Sequence, residues 1–403
     1  MGLYKYTPEP SGRMGLLWTL GTIGESAVLE FGSMGHMIYA EKWLSQTCIT
    51  NRSRLYSTHM DEKDIALGIT VRLEEAIKNI LQKDKPKALF ILPSSIPETI
   101  GTDLEAICEE IEGRYDDTPI LCFGHGGFQD RLAQGMEEGL CRLAEKIPRK
   151  VQKASRPSFN IIGSCADLAR FASDAGEIRR LLKGALDMEP VCILSSDTSV
   201  SRIEQMGAAH INLVLRREGV KAAEVLKDRF GTPYYYGRPY GYEGTLAWIT
   251  GISEALQAGI DRAFIDNELR ECRFPYEYCR QIFRYRSHKS ILSIGGNADV
   301  AGGILDFACR ELGMRANMVW CDNKEYGTDA IPYWTEAVIE QNVTPDLQGI
   351  LMAEGKLLKR TGRNTNLAIG RTLNSIHLNP YEAPFVGFRG MLNLCSLWME
   401  NLQ

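Results

Sequence analysis

The stretch GLLWTLGTIGESAVLEFGSMGHMIYAEKW, residues 15–43, decides how the chain is read. An apolar, helix-like run at 27–31 stands between two glycine-rich turns. The second turn, Phe31-Gly32-Ser33-Met34-Gly35-His36, presents one of only six histidines. Glycine at that density lets a backbone approach a bound group closely or adopt φ > 0. The same residues also serve if Gly32 and Gly35 only let a helix begin against a sheet. His36 is the first candidate for a binding residue.

Moving outward, the pattern of strand, turn and helix recurs. A charged helix is expected over 63–82 and a buried strand over 88–93. That strand's exit, residues 93–103, feeds a helix at 104–112, so the loop lies at a strand's C-terminal end, where ligands bind in open α/β sheets. A strand at 119–123 ends in Gly124-His125-Gly126-Gly127-Phe128, and a helix runs on to about residue 147. The basic, proline-containing segment 148–157 reads as a linker. A second unit follows, with strands at 159–163, 191–194 and 210–215 and helices at 178–186 and 222–230. The glycine- and tyrosine-rich run 231–244 reads as a loop lining a cleft, followed by a helix at 245–258 and a charged stretch at 261–288. A third unit opens at 290–296, with a helix at 303–312, strands at 316–320 and 349–352, and a last helix at 391–402. The fold class expected is α/β, with three open, mostly parallel sheets in domains at 1–150, 151–287 and 288–403. A (β/α) barrel would show eight shorter periods without linkers.

At 403 residues the chain has room for two or three domains of roughly 150 residues each. Its 46 basic and 51 acidic residues give a net charge of −5, which offers no electrostatic attraction to nucleic acid or to an anionic membrane. No apolar run approaches the roughly 20 residues of a membrane helix, and the first residues lack a signal peptide's apolar core, so a cytoplasmic protein is expected. The 11 cysteines form no Cys-x-x-Cys pair, which argues against a disulfide framework or zinc knuckle and for small buried residues. Neither 21–24 nor 295–297 has dinucleotide-binding spacing, and no P-loop is present. Gly32-Ser33-Met34-Gly35 falls one residue short of a nucleophile elbow. His36, His125 and His377 lie in loops flanked by glycine or proline, where a histidine serves as metal ligand, proton donor or plain loop residue.

Taken together, these turns resemble the nitrogenase component 1 superfamily. That family comprises the nitrogenase α and β subunits, their cofactor-assembly scaffolds, the dark-operative protochlorophyllide and chlorophyllide reductases, and the nickel-sirohydrochlorin cyclase of coenzyme F430 synthesis. The likeness runs through Leu29-Glu-Phe-Gly-Ser-Met-Gly-His36, Tyr56-Ser-Thr58 with Asp61-Glu62 through Gly68, and Ile96-Pro-Glu-Thr-Ile-Gly-Thr-Asp103. It continues in Asn160-Ile-Ile-Gly163, Asn212-Leu-Val214, Phe230-Gly-Thr-Pro-Tyr234 with Pro239-Tyr-Gly241, Glu311-Leu-Gly-Met314 and Gly387-Phe-Arg-Gly390, in the family's order.

The resemblance implies three Rossmann-like domains around a central cleft, and an iron–sulfur cluster at a subunit interface held by three N-terminal cysteines per chain. Those three positions are here Ser11, His36 and Ser95, with Gly35 and Gly101 in the same turns. Where relatives place the cysteine that anchors an active-site metal cofactor, this chain has Leu215 and Arg216. The implied cleft also draws on Gly163, 234–241, Gly295 and His377. By resemblance the chain is a β-like subunit of a nitrogenase-like reductase, in a heterotetramer with a homologous α-type subunit. An ATP-dependent iron–sulfur reductase protein would supply it with electrons. His36 is then expected to ligate an iron–sulfur cluster shared with that partner. The alternative is a cluster-free scaffold or structural partner in metallocofactor assembly, which holds a maturing cofactor or docks a partner while this chain alone binds no cluster, and a third reading places a tetrapyrrole against 234–242. Cys48 and Cys122 are the nearest replacement thiolates.

Overall fold

The structure, a computed structural model, describes every residue except 1–9, 33, 61–62, 64–69, 116–117, 125, 127–130, 197, 362–365, 371–381 and 402–403. After a two-residue strand, Ile23–Gly24 (β1), the run expected to be helix-like proves to be a strand, Ser26–Phe31 (β2), buried at every position. It pairs in parallel with Arg54–Ser57 (β3) on one side and Ala88–Pro93 (β4) on the other. An apolar run this short has no periodicity to separate strand from buried helix. Two flanking strands decide it by taking up the backbone polar groups. Ile120–Cys122 (β5) completes a sheet of order β3-β2-β4-β5.

The second sheet takes Ser158–Ser164 (β6), Glu189–Ser195 (β7), Ile211–Val214 (β9) and Tyr234–Tyr236 (β10) in the order β10-β9-β6-β7. Between them, Thr198–Ser199 (β8) leaves the sheet and pairs with β1. The third sheet takes Ile291–Gly296 (β11), Arg315–Cys321 (β12), Ile350–Glu354 (β13) and Asn366–Gly370 (β14) in the order β12-β11-β13-β14. All pairings are parallel. Parallel neighbours require crossovers, and helices provide them. The chain is thus α/β, with three parallel Rossmann-like sheets.

Three further readings of the sequence change. The tyrosine-rich run 231–244 is not all loop, because Tyr234–Tyr236 is the edge strand β10. The charged stretch 261–288 is a 24-residue helix, Arg262–Tyr285, capped where the Asp261 side chain accepts from the Phe264 amide at 3.0 Å. Its buried stripe, Ile265, Cys272, Tyr276, Cys279 and Phe283, is sparse among charges but keeps helical spacing. The helix after β11 starts at Ala298, earlier than expected, because the Asn297 side chain accepts from the amides of Asp299 and Val300. Among the cysteines, Cys108 and Cys122 form a disulfide, while six others are buried. No helix among the described residues is long and apolar enough to cross a membrane.

Close contacts bind the units together. The helices Gly12–Leu20 and Leu132–Lys146 cross backbone to backbone. A Cβ on Gly15 would lie 2.2 Å from the Leu132 carbonyl oxygen, and one on Gly135 would lie 1.8 Å from that of Gly12. Glu25, at φ 63°, accepts from Lys87 Nζ at 2.7 Å and from the Ser201 amide at 2.9 Å. The C-terminal helix Gly387–Glu400 returns to the middle of the chain, where Trp398 meets the ring of Phe283, and the Gly387 amide donates to the Pro239 carbonyl.

Two outcomes follow from this packing. Gly135→Ala forces a methyl into backbone atoms that cannot rotate away, so it is expected to lose at least about 1–3 kcal/mol in urea unfolding, the scale of overpacking. A loss under about 0.5 kcal/mol would show that the crossing yields. Burial raises the Glu25 carboxyl, but Lys87 and Ser201 outweigh it and hold the group down from 4.5 to about 2. A depressed carboxylate stabilises the fold above its unfolded value and loses that contribution as pH falls toward about 2. Wild type is therefore expected to exceed Glu25→Gln in stability at pH 7 by a modest, salt-screened margin, with the gap closing near pH 2. A constant gap across this range would contradict the assignment.

Candidate functional site

The site is built on one carboxylate. Glu30, near the end of β2, is fully buried. A charge in that position is tolerated only with a partner and directed hydrogen bonds. The partner is Arg13, in the first turn of the helix Gly12–Leu20 and itself 2% exposed. Its Nη2 donates to Glu30 Oε1 at 2.5 Å and its Nη1 to the Pro93 carbonyl at 2.5 Å. Burial lowers the Arg13 pKa, and Glu30 partly restores it. The guanidinium therefore ties the first helix to the C-terminal ends of β2 and β4.

His36 joins the same atom. It is the second residue of the helix Gly35–Ser45, and its Nδ1 lies 3.0 Å from Glu30 Oε1, with the side chain 40% exposed. A carboxylate paired to arginine accepts, so Nδ1 donates, and in the neutral ring Nε2 carries the lone pair. This carboxylate–histidine arrangement fixes the ring orientation of metal-ligating histidines. Glu30 Oε2 is buried with no hydrogen-bond partner among the described residues.

The turns around this pair are held separately. Gly32, at φ +148°, donates its amide to Thr58 Oγ1 at 2.9 Å, and a Cβ there would overlap the Ser94 side chain. The Ser94 amide donates to the Phe31 carbonyl at 2.8 Å. Ser11, half-buried, bridges to Arg131 two residues before Arg13. Ser95, exposed, opens the short helix Ser95–Thr99 two residues after Pro93. Arg13–Glu30 thus joins the three turns that carry Ser11, His36 and Ser95. Gly35 begins the His36 helix, and Gly101, at φ +72°, ends the Ser95 turn in open space. Met34, Ile38, Tyr39 and Ile100, all large and 39–60% exposed, belong to these same turns.

Arg216 stands elsewhere, just after β9. It is 1% exposed, with Nη1 donating to both Asp167 oxygens at 2.8 and 2.9 Å and Nε and Nη2 donating to Glu218 at 2.9 Å. Burial pulls its pKa down, but the two carboxylates more than reverse this. For Asp167, burial dominates and raises the pKa against Arg216. A Cβ on Gly163 would lie 2.6 Å from Arg216 Cγ, so that glycine makes room for the arginine. His125 and His377 lie outside the described residues.

Sequence reasoning missed Arg13, Glu30, Asp167 and Glu218. A glutamate inside the apolar run 27–31 was the available signal, since an acid in a buried strand demands a cation. The replacement thiolates are badly placed. Cys122 is bonded to Cys108, and Cys48 lies beyond the far end of the His36 helix, which at about 1.5 Å per residue is roughly 16 Å long.

These donors decide which metal group suits the site. Thiolates are the soft ligands iron–sulfur clusters use, whereas the three positions here supply one imidazole and two hydroxyls. Among the described residues, no group of three His, Cys, Asp or Glu side chains converges on one point. The set does not fit a cluster held by this chain alone. His36, oriented by Glu30, fits as a single ligand to a group held mainly by another chain.

The sequence pattern of the nitrogenase component 1 type oxidoreductases matches residues 11–403. The chain is 23% identical over 358 residues to the nitrogenase iron-molybdenum cofactor biosynthesis protein NifE of Klebsiella pneumoniae, covering 84% of this chain and 77% of that one. It is 22% identical over 360 residues to a light-independent protochlorophyllide reductase subunit from Dinoroseobacter shibae, covering 86% and 66%. The fold matches that of nitrogenase Cp1 at pH 6.5 with a TM-score of 0.77 at 16% identity, over 100% of this chain and 94% of that one.

Removing one member of the buried pair strands the other. Arg13→Ala or Glu30→Ala is expected to cost about 3–5 kcal/mol in urea unfolding, and Arg13→Met with Glu30→Leu together much less. A double variant that loses as much as the two single variants added together would mean that the pair's charges do not interact.

Proposed function

We propose that this chain, which belongs to the nitrogenase component 1 type oxidoreductase family, is the β-like subunit of a nitrogenase-like two-component reductase. On this reading a homologous α-type subunit covers the face around His36 and holds most of an iron–sulfur cluster, to which His36 is the one ligand from this chain. An ATP-dependent iron–sulfur reductase protein supplies low-potential electrons. The cluster's chemistry is single-electron transfer; this chain's part is to orient His36 and to present a docking face. Residues 1–150, 151–287 and 288–403 are the three domains, with the substrate cleft between them.

The observation that carries the reading is the His36–Glu30–Arg13 chain. A half-exposed imidazole is locked by a buried carboxylate at a surface where Met34, Ile38, Tyr39 and Ile100 are also exposed. Exposed apolar side chains gathered on one face mark association surfaces. Kinship to a protein named as part of a reductase supports the same role.

A second reading is a cluster-free scaffold in cofactor assembly. It is favoured by the ion pair itself, which ties the three turns without any metal, and by kinship to a protein named for cofactor biosynthesis. Coexpression with a homologous partner separates the two. The reductase reading expects a complex containing iron and acid-labile sulfide, whose electron paramagnetic resonance signal changes in His36→Ala. A complex that assembles with neither iron nor sulfide, and does so equally well in His36→Ala, would leave the scaffold reading standing.

A further inference from the structure

We propose that the cleft between segment 49–51 and the helix Phe171–Leu186 binds a small organic anion, one carboxylate or phosphate on an apolar body. The cleft has a volume of about 260 Å³, just below the roughly 300 Å³ at which ligand sites usually begin, so the ligand is small. Its floor is formed by Ser164 and Ser196, at the C-terminal ends of β6 and β7, the edge where open parallel sheets take their ligands. One wall comes from Ile49 in the N-terminal unit and the other from Phe171 and Ala175 in the middle unit.

The distribution of polar groups decides the ligand's chemistry. Both floor hydroxyls have committed their protons, Ser164 Oγ to the Phe171 carbonyl at 3.2 Å and Ser196 Oγ to the Ser164 carbonyl. The floor therefore offers no free donor for a charged head and receives the ligand's neutral end. Arg179 carries the only charge among the described lining residues. It is exposed, and among the described residues it forms no ion pair, whereas its neighbour Arg180 is held by Glu177 and Glu268. An unpaired guanidinium with a rigid donor fork is suited to a carboxylate or phosphate. The head then sits at the mouth and the apolar body against Phe171 and Ala175.

The cleft is independent of the Arg13–Glu30 site and involves no iron–sulfur group. Segment 49–51 is fixed from behind. A Cβ on Gly24 would overlap the Asn51 side chain, and Asn51 Nδ2 reaches the Thr198 carbonyl at 3.5 Å. A ligand in the cleft would touch both units beside the short β1–β8 ladder.

Benzoate and phenyl phosphate serve as probes, with benzylamine as the cationic control, and binding to the full chain is followed by saturation-transfer NMR and calorimetric titration. At least one anion is expected to bind saturably and benzylamine not to bind. Gly176 lines the cleft, and a Cβ there meets nothing within 4 Å, so Gly176→Phe fills the space without disturbing the helix and is expected to abolish binding. Arg179→Glu is expected to weaken anion binding by about tenfold or more. Circular dichroism confirms that both variants fold; if Gly176→Phe does not, Ala172→Phe at the same wall takes its place. The proposal is overturned if neither anion saturates wild type, if the filled variant binds as wild type does, or if benzylamine binds as well as the anions.

Discussion

The structure is organised around one ion pair, neither member of which it can expose or lose singly. Glu30 lies in the strand that β3 and β4 flank on both sides, so its carboxylate has no route to water. Burying an ion costs several kcal/mol unless a counter-charge and directed hydrogen bonds offset it. Arg13 meets that demand only from the first turn of its helix, and the helix reaches the position only by crossing Leu132–Lys146 at glycine-to-backbone distance. A local electrostatic requirement in β2 therefore fixes the packing of two helices and the seat of the β4 exit loop.

The same solution recurs along the chain. Arg216 lies between Asp167 and Glu218 after β9, and Arg238 after β10 donates to Asp174 at 2.7 Å, while Asp174 also accepts from the amides of Phe385 and Val386. Each arginine sits close to the C-terminal end of a parallel strand, the edge where other α/β proteins leave room for ligands. In this chain those places are filled by its own charged side chains. Among the described residues, room does remain in the cleft that Gly176 and Arg179 line together with segment 49–51.

Much of the fold is legible in the sequence because strand, turn and helix alternate with recognisable punctuation. The strand at 88–93 can be read to the residue, and those expected at 119–123, 159–163, 191–194, 210–215, 290–296, 316–320 and 349–352 to within a few positions, whereas β3, β10 and β14 are not anticipated as strands. What fails does so for physical reasons. The run 27–31 is too short to show a period, so only its neighbours in space make it a strand. The helix Arg262–Tyr285 hides its buried stripe among charged residues and carries Pro275 inside it. The site is legible in part. Resemblance locates His36, Ser11 and Ser95, and their three turns do converge on one ion pair. Glu30 inside an apolar run does signal that a cation is needed, but nothing local shows that the cation is Arg13, 17 residues away, so the pair that joins the turns escapes a local pattern.

The pair forms an inner layer and the candidate ligands an outer one. Arg13 and Glu30 are closed to solvent, whereas Ser11, His36 and Ser95 are half-buried or exposed. In relatives that hold a cluster, the resemblance places thiolates at the outer positions, so a metal group there would both link the turns and face the partner. Here the linking is done from inside by charge, which frees the outer residues from a structural duty. Ser11 and Ser95 can then change without loosening the turns, because the bonds that hold them run through Arg13, Glu30 and the Pro93 carbonyl. His36 is the exception, since its ring rests on Glu30 through Nδ1 while much of its surface faces outward. Whatever meets this face reaches the buried pair through that imidazole, which makes His36 the one residue by which an outer partner and the inner ion pair can influence each other.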